Sequence, residues 1–268
     1  MSSYIIEAGT AQHIGNRPQQ NDRGALLSSA RAPGYLMAVL ADGLQGGSLA
    51  SDQVLQSSQQ LFDEYPGGET PSLERLAGLL REIVSEAHTI VTMNPIAATL
   101  EPQATLLILI VTPDGQAIWA HVGDTRLYCF SHSKCVLRSS DASYIEHLVE
   151  HDKLPPDAAK KHRSSKLLAN SIGNPLKQPF VTIGSHPSLR AGDAFLLATD
   201  GLWQYFTDSE LAAAVARNTP RKAAERLILK AGERAHGKGD NCSMVIVKLA
   251  KIPPEPADYT VQKLRSAV

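Results

Sequence analysis

The chain has 268 residues, of which 43% are hydrophobic and 20% are charged, and this composition excludes a disordered or fibrous protein. Lys and Arg number 26 against 27 Asp and Glu, which gives a net charge of -1 and argues against binding nucleic acid or an anionic membrane through bulk charge. Three cysteines without a CxxC or CxxH pair predict neither a disulfide framework nor a structural zinc site.

Two features of the sequence concern location. The opening MSSYIIEAGT lacks a basic region followed by an apolar core, so it does not resemble a signal peptide. The apolar run 106–111 is far too short to span a bilayer. We therefore expect a cytoplasmic protein with no membrane association.

Short apolar segments bounded by Gly, Pro, Asn or Asp predict strands, whereas apolar residues at helical spacing predict helices. In the first part of the chain this gives strands 4–8, 24–29 and 36–41, followed by helices 49–65 and 73–93. The middle is predicted as an antiparallel meander of strands 104–112, 116–122, 126–131 and 134–138. The remainder is predicted as helices 143–151 and 156–168, strands 180–186 and 194–199, helices 208–217 and 220–235, and strand 242–249.

Runs of antiparallel strands with helices in separate blocks predict an α+β fold and not a doubly wound α/β fold. Two long helices in each half are enough to cover the outer faces of two sheets. We expect a single domain over residues 1–251, followed by a proline-containing tail over 252–268.

Five aspartates lie where predicted strands meet loops. Asp42 and Asp200 each follow a buried apolar strand and precede a glycine, and Asp124 follows the strand that ends at 122. Asp22 and Asp240 lie just before predicted strands. Clustered carboxylates repel one another, and divalent cations relieve that repulsion. Oxygen-only ligands favour Mg²⁺ or Mn²⁺ over zinc.

An Asp-Gly pair by itself is a common turn, as we expect for Asp114-Gly115 at the tip of a hairpin. The indication of a metal site therefore comes from the set of aspartates and its order along the chain.

That set resembles the metal-dependent protein serine/threonine phosphatases of the PPM or type 2C family, over about residues 8–249. The segments that carry the resemblance are Gly15-x-Arg17 with Asp22, AVLADGLQGG (38–47), WAHVGDTRLYCF (119–130), SSDASYIEHLVEHDKL (139–154), NSIGNP (170–175), FLLATDGLWQYFTDSEL (195–211) and GDNCSMVIV (239–247). The last two are the most specific. The resemblance implies a four-layer α/β-β/α sandwich of two antiparallel sheets flanked by helices.

The resemblance also implies which residues hold metal ions. Asp42, Asp200 and Asp240 would hold the first ion, and Asp42 with the carbonyl of Gly43 would hold the second. Asp124 with Asp200 would form the weaker third site found in many members. The cofactor would be Mn²⁺ or Mg²⁺, with two ions or three.

Two further residues receive catalytic roles from the resemblance. Arg17 would bind the substrate phosphate, which suits a planar guanidinium that can contact two phosphate oxygens. Asp22 would hydrogen-bond a metal-bound water. Water activated by the metals would then attack the phosphorus directly, without a covalent enzyme intermediate.

The sequence departs from the family pattern around the implied metal sites. Asn21 stands where Glu commonly helps to bind the second metal, and Gln20 stands where Asn is common. Leu44 replaces a histidine proposed as general acid in some relatives, and Gln45 replaces a glycine. Gln204 replaces a carboxylate that can serve the third metal.

Residues 142–178 resemble the family's flap, an insert beside the active site. Its basic run 160–163 is either a solvated face or an attraction for acidic substrate. Trp203, directly after Asp-Gly-Leu, is predicted to be an anchor behind the metal site and not a substrate contact.

These observations predict a Mg²⁺- or Mn²⁺-dependent phosphatase of the bacterial single-domain type, acting on phosphoserine and phosphothreonine in proteins. The expected partners are phosphorylated substrates of a Ser/Thr kinase, and the expected state is a monomer. One alternative is a pseudophosphatase that binds phosphoproteins, suggested by Asn21, Gln45 and Gln204. The other is a phosphatase for small molecules on the same fold.

Overall fold

The computed structural model describes residues 4–68, 71–94, 100–139 and 170–252. The predicted helices 143–151 and 156–168, the basic run 160–163 and most of the C-terminal tail lie outside the described residues. The strands are β1 Tyr4–His13, β2 Arg23–Ser29, β3 Ala32–Ala41, β4 Gly43–Gln45, β5 Gln103–Ala104, β6 Leu106–Val111, β7 Ala117–Val122, β8 Arg126–Ser131, β9 Lys134–Arg138, β10 Thr182–His186, β11 Asp193–Ala198 and β12 Cys242–Lys251. The helices are α1 Leu49–Glu64, α2 Leu73–Met93, α3 Asp200–Trp203, α4 Asp208–Arg217 and α5 Pro220–Ala235.

The strands form two large antiparallel sheets, which confirms the α+β prediction. The first sheet has the order β1-β12-β11-β8-β9 and the second has the order β10-β7-β6-β3-β2. A small ribbon pairs β4 with β5. Helices α1 and α2 pack on the outer face of the second sheet, whereas α4 and α5 pack on that of the first. The four-layer arrangement is therefore confirmed.

Strand β6 shows why the two sheets stack. All six of its residues are buried, although antiparallel sheets commonly leave one face in water. Leu107 and Leu109 point into the core between the two sheets, whereas Leu106, Ile108 and Ile110 pack towards α1 and α2. Both faces of the strand are apolar because each one is covered by another layer.

The predicted meander is wrong in its connectivity. Strand β6 pairs with β7 and β8 pairs with β9, but these two hairpins belong to different sheets. Gly123, with φ of 99°, lies in the link from β7 to β8, where a Cβ would come within 2.6 Å of the Thr105 side chain. Strand periodicity is a local property, so it does not reveal that this short link crosses between sheets.

The bounds of the elements match the prediction only in part, because β1 continues to His13 beyond the predicted end at residue 8 and β3 begins at Ala32, ahead of the predicted start at residue 36. Helices α2, α4 and α5 and strands β8 and β9 begin and end at the predicted residues. The short elements β4 and α3 have no counterpart in the prediction, because three or four residues are too few to show a period. The predicted strand 104–112 is divided into β5 and β6. Within the described ranges, no helix combines the length and apolarity needed to cross a membrane.

His88 of α2 is a buried histidine that joins this helix to the segment entering β10. Its Nδ1 accepts a hydrogen bond of 3.2 Å from the N–H of Gly173, and burial lowers the pKa of the imidazole. The unfolded chain therefore takes up a proton at this histidine at higher pH than the folded chain does.

We expect the stabilising contribution of His88 to be complete above about pH 6.5 and to decline as the pH falls from there towards the lower folded-state pKa. Chemical denaturation of the wild type and of His88→Gln at about pH 7.5 and about pH 5.5 tests this. The difference in free energy of unfolding between the two proteins should shrink at the lower pH. A difference that grows there would contradict the prediction.

Candidate active site

The predicted site residues lie at one end of the two sheets. Asp22 directly precedes β2 and Asp42 directly follows β3, and the antiparallel register that pairs Arg23 with Ala41 places these two aspartates side by side. In the other sheet, Asp200 begins α3 just after β11. Carboxylates from segments that are far apart in sequence therefore lie close together in the fold.

The electrostatics show that these carboxylates form one cluster. Burial raises the pKa of Asp42 well above its usual value, and the charges of Asp22, Asp200 and Asp124 raise it further. Burial also raises the pKa of Asp22 to about 6. The pKa of Asp200 is raised by burial and then by the charge of Asp240. Each of the five sequence-predicted aspartates is therefore within electrostatic reach of at least one other, with Asp42 and Asp200 linking the set.

Arg17 lies at the rim of the cluster. Its Nη2 donates a hydrogen bond of 2.5 Å to Oδ2 of Asp240, and the Arg17 side chain remains 58% exposed. The bond to Asp240 raises the pKa of the guanidinium. Arg17 also lines an open cleft, and its guanidinium has further N–H donors beyond the one bonded to Asp240.

Asn21 and Gly43 lie against each other beside the carboxylates. A Cβ on Gly43 would come within 2.6 Å of the Asn21 carbonyl oxygen, so only glycine permits this contact. The same carbonyl accepts a hydrogen bond of 2.5 Å from the Ser51 hydroxyl. The Asn21 Oδ1 atom is buried and accepts no hydrogen bond within the described part of the chain.

Buried hydroxyl groups that the sequence analysis did not single out position two of the aspartates. The Thr199 hydroxyl donates to Oδ2 of Asp22 at 3.2 Å and accepts from the backbone N–H of Ser243 at 3.0 Å. Thr105 Oγ1 accepts from the backbone N–H of Asp42 at 2.9 Å. The sequence feature that could have identified Thr105 and Thr199 is a polar residue at the end of an otherwise apolar strand.

Asn241 was also missed, although it directly follows Asp240. Its Oδ1 accepts from the N–H of Asn21 at 2.8 Å, and its Nδ2 donates to the carbonyls of Ile14 at 2.8 Å and Gln19 at 3.0 Å. This buried side chain therefore fastens the loop that carries Arg17 to the start of β12.

Trp203 anchors the site, as predicted. Its indole Nε1 donates to the carbonyl of Asp124 at 3.1 Å. The guanidinium of Arg126 lies 3.4 Å from the centre of its ring, a distance typical of a cation–π contact. Gln204, the next residue along the chain, is exposed and lines the cleft.

The donor atoms of this cluster fit hard divalent cations. The cluster consists of oxygen donors, its carboxylates raise one another's pKa, and the Asn21 Oδ1 atom is buried without a partner in the described ranges. Among residues 4–68, 71–94, 100–139 and 170–252, no three Asp, Glu, His or Cys side chains are arranged as ligands of a single ion. An ion bound to Oδ2 of Asp240 would compete with Arg17 for that atom.

Comparisons with known proteins agree with the architecture. A family model described as protein phosphatase 2C matches residues 9–230. The serine/threonine protein phosphatase PstP of Mycobacterium tuberculosis is 28% identical over 233 residues, which are 85% of this chain but only 43% of PstP. The chain thus spans less than half the length of that relative.

Two solved structures share the fold. The serine/threonine phosphatase of S. agalactiae matches with a TM-score of 0.75 at 22% identity, covering 91% of this chain and 99% of that one. A catalytic domain of PstP in complex with 2 manganese ions matches with a TM-score of 0.66 at 25% identity, covering 91% and 98%. Because the family model extends over well more than half of its residues, this chain belongs to the protein phosphatase 2C family.

Proposed function

We propose that this chain is a metal-dependent phosphatase that hydrolyses phosphoserine and phosphothreonine in proteins. The observation that carries the proposal is the cluster of buried carboxylates around Asp42, with the exposed guanidinium of Arg17 at its rim. Membership of the protein phosphatase 2C family and the likeness to PstP support it. Its substrates would be proteins phosphorylated by a Ser/Thr kinase, and the monomeric state remains a prediction.

The residues that would hold two Mn²⁺ or Mg²⁺ ions are Asp42, Asp200 and Asp240, together with the carbonyl of Gly43. Bound divalent cations lower the pKa of a water and neutralise charge on phosphoryl oxygens. Asp124 with Asp200 would complete a third, weaker site. Asn21 offers a neutral oxygen where relatives commonly have a carboxylate, so we expect the second ion to bind weakly.

The chain's own side chains would handle the substrate and the proton. Arg17 would bind two oxygens of the phosphate through its remaining N–H groups. Asp22, whose pKa is about 6, would accept a hydrogen bond from the attacking water. The hydrogen bond from the Thr199 hydroxyl to Oδ2 of Asp22 would hold this carboxyl in place.

The test is hydrolysis of a phosphothreonine peptide and of p-nitrophenyl phosphate with added Mn²⁺, with added Mg²⁺ and with EDTA. We expect turnover that depends on the metal and that is lost in Asp200→Asn. The variant also excludes a contaminating phosphatase as the source of the activity.

Other outcomes would identify the alternatives. A folded protein that binds the phosphopeptide but hydrolyses neither substrate at millimolar Mn²⁺ would overturn the proposal in favour of a pseudophosphatase. Fast turnover of a small phosphomonoester together with indifference to the peptide would indicate a small-molecule phosphatase.

A further inference from the structure

A cleft of about 450 Å³ opens beside the carboxylate cluster. Among the side chains that line it are Arg17, Lys238, Gln204, Tyr205, Asp200 and Asp240. The cleft therefore contains a second cationic side chain that the proposed function has not used. Its volume lies in the range of sites that hold small ligands, so it has room for more than a phosphoryl group.

The backbone fixes Lys238 next to the loop that carries Arg17. Helix α5 ends at Ala235, and the following residues turn the chain back with φ of 49° at His236 and 74° at Gly237. The N–H of Lys238 donates to the carbonyl of Ala235 at 3.0 Å. One residue later, the carbonyl of Gly239 accepts from the N–H of Asn16 at 2.8 Å. Backbone hydrogen bonds at Lys238 and at the following residue therefore fix the position of this part of the chain.

The two cations of the cleft differ in how their charge is compensated. Arg17 is already paired with Asp240. The Lys238 side chain is exposed and takes part in no ion pair within the described ranges. By contrast Arg234, one turn earlier, is paired with Glu210. Lys238 therefore contributes to the cleft lining a positive charge that no ion pair engages among the described residues.

We propose that Lys238 binds a second anionic group of the substrate, close to the phosphoryl group bound by Arg17. The substrate class is then a phosphopeptide with a carboxylate close in sequence to the phosphorylated residue, because Arg17 and Lys238 line the same cleft. This inference rests on the proposed function and adds a specificity-determining residue to it.

The test compares phosphothreonine peptides of one sequence, flanked by alanine or by glutamate on either side. For the wild type, we expect kcat/KM to be about two- to fivefold higher for one of the glutamate peptides than for the alanine peptide, the size of effect that a single exposed ion pair gives. Added salt should reduce this preference, because both charges are exposed to solvent.

Variants assign the preference to Lys238. The ratio to compare is kcat/KM for the preferred glutamate peptide divided by kcat/KM for the alanine peptide. Lys238→Gln should bring this ratio close to one, and Lys238→Arg should keep it near the wild-type value. Lys238→Glu should bring it below one. Lys222→Gln, an exposed substitution on α5 outside the cleft, is the matched control and should keep the wild-type ratio.

A wild-type ratio of one, or equal ratios for Lys238→Gln and Lys222→Gln, would overturn the proposal. So would a Lys238→Gln protein with a lower Tm and an unchanged ratio, since that result would mean that Lys238 only compensates the carboxyl end of α5. If the wild type turns over neither peptide nor p-nitrophenyl phosphate, the proposed function has failed. Fluorescence anisotropy of the same peptides would then decide the role of Lys238 from affinity alone.

Discussion

Asp42→Asn is expected to lower kcat/KM for a phosphothreonine peptide by about a thousandfold or more, the scale of loss when a group that stabilises the transition state is removed. Asp42 is the carboxylate on which the charges of Asp22, Asp124 and Asp200 all act. In the proposed function, Asp42 would also contribute to both principal metal sites. The measurement is steady-state kinetics in the presence of Mn²⁺.

The same substitution should not destabilise the metal-free protein. Burial and neighbouring carboxylates already disfavour the charged form of Asp42, so a neutral side chain of the same shape relieves repulsion. Its amide can also donate to the neighbouring carboxyl groups. In EDTA, the Tm of Asp42→Asn should equal or exceed that of the wild type, whereas the increase in Tm on adding Mn²⁺ should be lost.

Asp114→Asn is the matched control. Asp114 also precedes a glycine, but it lies at the tip of the β6-β7 hairpin, where it accepts hydrogen bonds from Thr112 and Gln116. This variant should keep both the activity and the response to Mn²⁺. Activity within tenfold of the wild type in Asp42→Asn would show that the reaction takes place elsewhere.

Asn241→Ala is expected to produce the largest loss of stability among the substitutions considered. It removes three hydrogen bonds from a buried side chain and leaves the N–H of Asn21 and the carbonyls of Ile14 and Gln19 without their partner. At about 1 kcal/mol each, these bonds together contribute about 3 kcal/mol to the free energy of unfolding. For a domain of this size the Tm should fall by roughly 10 °C.

Chemical denaturation and thermal unfolding measure this loss. Asn174→Ala is the matched control, because among the described residues the Asn174 side chain accepts one hydrogen bond, from the N–H of Leu176 within its own turn. Its effect should stay below about 1 kcal/mol. Below its Tm, Asn241→Ala should also show a raised KM, because the loop that carries Arg17 is no longer fastened. Equal stability of the two variants would contradict this role for Asn241.

The sequence predicted most of the long strands and helices and placed the five aspartates at the ends of strands, because both predictions depend on local patterns. Apolar spacing located α2, α4 and α5, and the order of the aspartates located the cluster. What it could not predict depends on contacts between distant segments. The link through Gly123 looks like a hairpin turn until the sheet partners of β7 and β8 are known. Likewise, nothing local in the sequence shows that Asn241 meets residues more than two hundred positions away.

Because β1 pairs with β12, the site can assemble only after the C-terminal strand has been synthesised. These first and last described strands pair through ten residues, from Tyr4 with Lys251 to His13 with Cys242. During synthesis, the segment that carries Arg17 leaves the ribosome early. It can reach its final position only after β12 has also been synthesised. Pairing over such a separation is slow to form and leaves the edge of β1 open until then. A nascent chain lacking residues 242–251 therefore cannot display the assembled cleft, so truncated products would lack the activity proposed here.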